Sequence, residues 1–219
     1  MTNHRKYFFY FISWTCIIVC LADFIVTYAL GKQLPEYSRI TDPTSKLGSS
    51  ISPVALYIST WWVFIGVIYI FLGIGFRRIF ADYGKSVILA SWILIIYGIG
   101  EGIGSGLFPY NFVGNKITIS GIFHEIFGGI AVFIILILPL VLRKIFIREK
   151  YPFLFKFFMI TFIAGIMAMT LLSIARFPGH EHNFFSGYFG LWQLLFTIVI
   201  YCNLIAIGIM MMRKLRDLK

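Results

Sequence analysis

Six long apolar stretches constrain this chain more than any other feature. They run near Tyr7–Leu30, Val54–Phe76, Ser86–Phe108, Ile119–Leu142, Phe153–Ala175 and Phe189–Met212. Each is long enough to cross a bilayer, which takes roughly 20 residues. A segment in hydrocarbon must satisfy its own backbone N–H and C=O groups, so each is expected to be a helix. The expected fold is all-α: a polytopic integral membrane bundle of six transmembrane helices, forming one transmembrane domain over residues 1–219. The longest connection, Gly31–Pro53, has 23 residues and leaves no room for a soluble domain. Charged residues make up 13% of the chain and mean hydropathy is +0.88, whereas soluble domains carry about 25% charge.

A net charge of +10 raises nucleic acid as a partner, but the placement of the charge argues against it. With the N-terminus inside, fourteen of the nineteen Lys and Arg fall on the cytoplasmic side and five (Lys32, Arg39, Lys46, Lys116 and Arg176) on the other. This asymmetry is the positive-inside pattern of a multi-pass membrane protein, with both N- and C-termini expected to be cytoplasmic. The basic loops then orient helices and meet anionic head groups. The first apolar run exceeds the 7–15 residues of a signal-peptide core and no small-residue cleavage site follows, so it is expected to stay as a helix. Cys16, Cys20 and Cys202 lie within membrane segments and read as buried small apolar residues.

Within this apolar background the polar residues stand out. Glu101 sits in Gly98-Ile99-Gly100-Glu101-Gly102-Ile103-Gly104-Ser105-Gly106, and a charge at that depth calls for a partner or a function. At the helical rise per residue, Glu101 lies about 12 Å below the outer boundary, Asp23 about 10 Å, His124 and Glu125 about 8–9 Å, and Gln193 about 6 Å. Arg176 ends the fifth helix on the same side. Five helices thus deliver polar groups to one outer layer, while Asn203 is the main polar exception in the inner half. The outer connections are also the longer ones, and elaborated loops carry function more often than short ones. An outward-facing polar cavity is the expectation. Gly98, Gly102 and Gly106 form one small-residue row, and Gly100 and Gly104 another; such rows let helices approach closely.

Several chemistries fit these residue types. Asp23, Glu101, His124, Glu125, Arg176 and Gln193 suit a site for a membrane lipid or another amphiphile. His124 with the loop pair His180 and His182 would supply the three ligands of a catalytic zinc, although no His-Glu-x-x-His spacing is present and no cofactor is expected. Glu101 and His124 are candidates for acid–base or proton-relay work, and Arg176 is an ion-pair candidate for Glu101, Asp23 or Glu125. The readings are therefore an amphiphile-binding membrane protein, an intramembrane metal-dependent hydrolase acting on a lipid-like substrate, or a small proton-coupled transporter. The last lacks polar residues in the inner half. Neither a nucleophile elbow nor a phosphate-binding loop appears, so catalytic activity stays open.

Short motifs on the outer side carry a resemblance. Tyr37-Ser38 and Leu47-Gly48-Ser49 precede Pro53; Gly106-Leu107-Phe108-Pro109 closes the third helix; His124 follows in the fourth; Gly190-Leu191-Trp192-Gln193 opens the sixth. In these the chain resembles the six-helix bacterial and archaeal membrane family catalogued as domain of unknown function 998. That family often has an Arg after the last motif, where this chain has Leu194. The resemblance implies a shared outer-side site; any ion-pair or ligand role of that Arg is either missing here or passes to Arg176, and no particular activity is implied.

Overall fold

Residues 2–114, 116–176 and 184–217 are described by a computed structural model of the chain. The six apolar stretches form six membrane-length helices: α1 Asn3–Gly31, α2 Ala55–Ile79, α3 Lys85–Leu107, α4 Ile119–Ile145, α5 Pro152–Arg176 and α6 Phe189–Asp217. Several extend beyond the apolar windows into basic residues. Arg77 and Arg78 complete the last turn of α2, and Lys214 and Arg216 that of α6. Cations are favourable at a helix C-terminus, and their long stems lie along apolar surface while the charge reaches water.

The helices form a ring in chain order. Each packs on its sequence neighbours, α6 closes back onto α1, and α2 also touches α6 across the middle. The end holding the chain termini is filled. There Phe76, Phe80, Phe146 and Phe158 are fully buried, and the Phe80 and Phe146 rings meet edge to face at 5.5 Å. The opposite end, which holds the 32–54 connection and is called the loop end below, is hollow.

Two helices depart from regular geometry. Gly98–Gly104 in α3 is wound as a π-helix, a form rare in proteins and frequent at functional sites. The glycines have the packing role expected of them. A Cβ on Gly66 of α2 would lie 2.5 Å from the Gly98 carbonyl and 2.9 Å from Gly102 Cα, and one on Gly106 would meet Val63 at 2.7 Å. The second row, Gly100 and Gly104, abuts Phe127 of α4. Tyr97, Glu101 and Ser105 lie between the two rows, on the face that looks into the ring. In α4, a break follows Ile135 and the helix resumes at Leu138, with Pro139 in its new first turn. Proline lacks the N–H a continuing helix would need, so the helix bends there. The start of α4 is capped by Thr118, whose hydroxyl accepts from the Gly121 N–H at 3.1 Å.

The 32–54 connection folds over the hollow end. Its 3-10 turn, Thr44–Gly48, lies against α2, where Gly48 leaves room for the Trp62 ring. A second loop-end element is a two-residue antiparallel pairing of Phe112–Val113 with Lys116–Ile117, turning at Gly114 with φ +59°.

Candidate polar cavity at the loop end

The hollow end encloses a cavity of about 430 Å³. Asp23, Glu101, His124, Glu125, Arg176 and Gln193 all line it. The depth argument thus places six residues from five helices around one space. Their environments differ sharply.

Asp23 on α1 is buried at 7% exposure and saturated with donors. Trp61 Nε1 donates to one carboxylate oxygen at 2.8 Å and Tyr201 Oη to the other at 2.9 Å. Buried charge is tolerable when its oxygens are hydrogen-bonded in this way. Glu125 on α4 forms an ion pair with Arg176 at the end of α5. Of the three carboxylates proposed for Arg176 it is therefore Glu125 that takes it.

His124 does not bond Glu101. Its Nδ1 lies 2.8 Å from the Phe108 carbonyl oxygen, which only accepts, so Nδ1 carries the proton. The ring is thereby tied to the end of α3 at the loop end, with the Tyr110 ring 5.4 Å away. Gln193 is likewise engaged: its Oε1 accepts from the Thr44 N–H at 2.8 Å, tying the 32–54 loop to α6. Leu191 N–H donates to the Ile40 carbonyl at 2.9 Å beside it. Pro43, Thr44 and Ser45 thus roof the cavity.

Glu101 is the exception. Among the described residues no hydrogen bond or ion pair reaches its carboxylate. It is held beside Gly128, where a Cβ would stand 3.3 Å from Oε2.

The remaining walls hold residues that sequence reasoning passed over. Tyr69 and Tyr97 stack with ring centroids 5.6 Å apart and with Tyr201 make the deep wall aromatic, while Trp62 lines the cavity beneath the Gly48 turn. The available signal was three tyrosines well inside apolar segments, because a buried tyrosine hydroxyl needs a partner. Tyr201 finds Asp23, and Tyr69 lies 3.5 Å from Cys20 Sγ.

His180 and His182, two of the three proposed zinc ligands, lie outside the described residues. Among the described residues, no three His, Cys, Asp or Glu side chains stand close enough to share a metal ion.

The family comparison bears on this cavity directly. The model of a family described as a protein of unknown function, DUF998, matches residues 17–210. The chain belongs to the DUF998 family. The match runs from within α1 to within α6 and so contains every cavity residue named above. No curated protein and no solved structure matches the chain. The motifs behind the resemblance to DUF998 also have positions now. Tyr37 packs on Gly31, Gly48 on Trp62, Gly190 on the Arg39 backbone, Gln193 on Thr44, and His124 on Phe108. All of them hold the loop-end connections down onto the cavity.

Proposed function

We propose that this multi-pass membrane protein binds a lipid or another amphiphile in the loop-end cavity, and that this cavity opens toward the outer leaflet of a bacterial cytoplasmic membrane. One observation carries the reading: Glu101, a carboxylate with no protein partner among the described residues, faces a cavity of about 430 Å³ whose deep wall is aromatic. A ligand pocket typically has this makeup, a mostly apolar lining with a few fixed polar groups. An unpartnered carboxylate at membrane depth is costly on its own and favourable once a ligand matches it. The orientation rests on charge: the termini end carries most of the Lys and Arg, the pattern of a cytoplasmic face.

The test is the content of the cavity. Protein extracted with its surrounding membrane into polymer-bounded discs is washed, and retained small molecules are identified by mass spectrometry. An amphiphile near one per chain is expected. Val132→Trp, which projects an indole into the cavity, removes it. Equal retention by Val132→Trp, or recovery of bulk lipid alone in bulk proportions, overturns the reading.

A further inference from the structure

Beside the cavity runs a second, apolar space. It is a groove of about 580 Å³ between α4 and α5, lined by Phe133, Leu136, Ile166, Met169, Thr170 and Ile174 together with Ser173. The loop-end half of α4 leans on the glycine-rich turn of α3 and hardly touches α5; the two helices pack together only after the break near Pro139. The gap between them is bounded at the loop end by the Glu125–Arg176 pair. At the other end Leu136 sits against Gly165, where a Cβ would be 2.9 Å from its Cδ1. Phe133, Met169 and Ser173 belong to both cavity and groove. Phe133 is 60% exposed in a membrane-spanning segment and therefore faces hydrocarbon.

Among the described residues the charge on the cavity wall is also unbalanced. Of the three acidic side chains there, Glu125 is matched by Arg176 and Asp23 by two neutral donors, while Glu101 has no partner among the described residues. The rings of Tyr97, Trp62 and Tyr110 line the same space, and aromatic faces attract cations. An anionic head group would meet an unmatched carboxylate; a cationic one would pair with it.

The geometry points to a lateral portal between α4 and α5 that admits a single-chain amphiphile with a protonated amine head. The amine meets the Glu101 carboxylate, and the alkyl chain lies in the groove between Phe133 and Ile166. The occupant comes from the bilayer, since the groove opens to hydrocarbon. From Ser173 to Ile166 the groove wall on α5 is about 10 Å long at the helical rise, enough for part of a single chain. Gly129, on the cavity wall one turn before Phe133, has nothing within 4 Å of its missing Cβ, so there is open space at that point. This inference rests on the amphiphile reading above and adds head-group charge and route.

The experiment uses the full chain in phosphatidylcholine vesicles with three photoactivatable probes of equal length: a primary alkylamine, an alkanol and a fatty acid, each with a mid-chain diazirine. The amine probe is expected to label Phe133, Ile166 and Met169. Labelling falls about tenfold in Glu101→Gln, the loss of about 1.4 kcal/mol of binding. It falls similarly in Gly129→Phe, which fills that open space and leaves the carboxylate intact. Thermal unfolding confirms that both variants fold. Equal amine labelling of wild type and Glu101→Gln overturns the proposal, as does full labelling of Gly129→Phe. If the fatty-acid probe labels groove and cavity as strongly as the amine, the cationic specificity fails while the cavity reading stands. If no probe labels a cavity residue, both fail.

Discussion

Asp23 and Glu101 are both acids on the wall of one cavity, and their neighbours make them different chemical objects. Asp23 accepts from Trp61 and Tyr201, so removing its carboxylate strands two buried donors. Each unsatisfied donor costs about 1–3 kcal/mol. Asp23→Ala is therefore expected to lower the unfolding temperature in detergent clearly, and Asp23→Ala combined with Tyr201→Phe to cost less than the sum of the single changes. Strict additivity in that cycle would show the hydrogen bond to be energetically idle. Glu101→Gln strands no neighbouring donor and removes the charge, so it is expected to change stability little while weakening binding. Glu125 and Arg176, with side chains 31% and 51% exposed, form a partly solvated pair. Glu125→Gln is expected to cost under about 1 kcal/mol in the same unfolding assay.

Among the elements, α3 sets the shape of the cavity. Its glycine rows bring α2 and α4 to backbone contact, and the face between the rows is left to Tyr97, Glu101 and Ser105. A methyl group at Gly66 or Gly102 would have to displace backbone rather than a side-chain tip. Overpacking of a tight site costs about 1–3 kcal/mol. Gly66→Ala is thus expected to destabilise by that order, whereas Gly129→Ala, with open space beside it, is expected to be near neutral. Similar melting temperatures for the two variants would contradict this packing. The bend of α4 has a comparable role. Before the break at Leu136–Ile137, α4 packs on α3 and hardly on α5; beyond it, α4 packs on both, and the gap between α4 and α5 lies before the break.

For the whole molecule, orientation is the measurable property. Six spans return the chain to the side on which it begins. The positive-inside reading puts the 32–54 loop outside, so Ile51→Cys, at 94% exposure, is expected to react with a membrane-impermeant maleimide in intact cells, and Asp82→Cys only after lysis. The reverse pattern would invert the proposed opening to the other leaflet. Cys16 and Cys20 are buried as expected, but Cys202 is exposed on α6 rather than buried, so the labelling is read against a Cys202→Ser background.

The number of helices, their approximate bounds and the membership of the polar layer were all legible from the residues. Hydropathy and the need to satisfy backbone groups in lipid act segment by segment, and depth follows from counting along a helix. Which member of that layer remains free was not legible, because it depends on partners from far along the chain. Trp61 and Tyr201, 38 and 178 residues from Asp23, choose that acid as their acceptor. Thr44 takes the oxygen of Gln193 across 149 residues. Phe108, rather than Glu101, takes His124. The π-helical turn and the gap between α4 and α5 are likewise products of packing: glycine spacing permits close approach, but only the facing helices decide where the backbone yields. The sequence by itself therefore determined a six-helix membrane protein with a polar layer at one end. Tertiary structure decided that the layer encloses a cavity and that one carboxylate in it has no partner among the described residues, because hydrogen-bond partners and voids are set by contacts between helices and not by the order of residues within them.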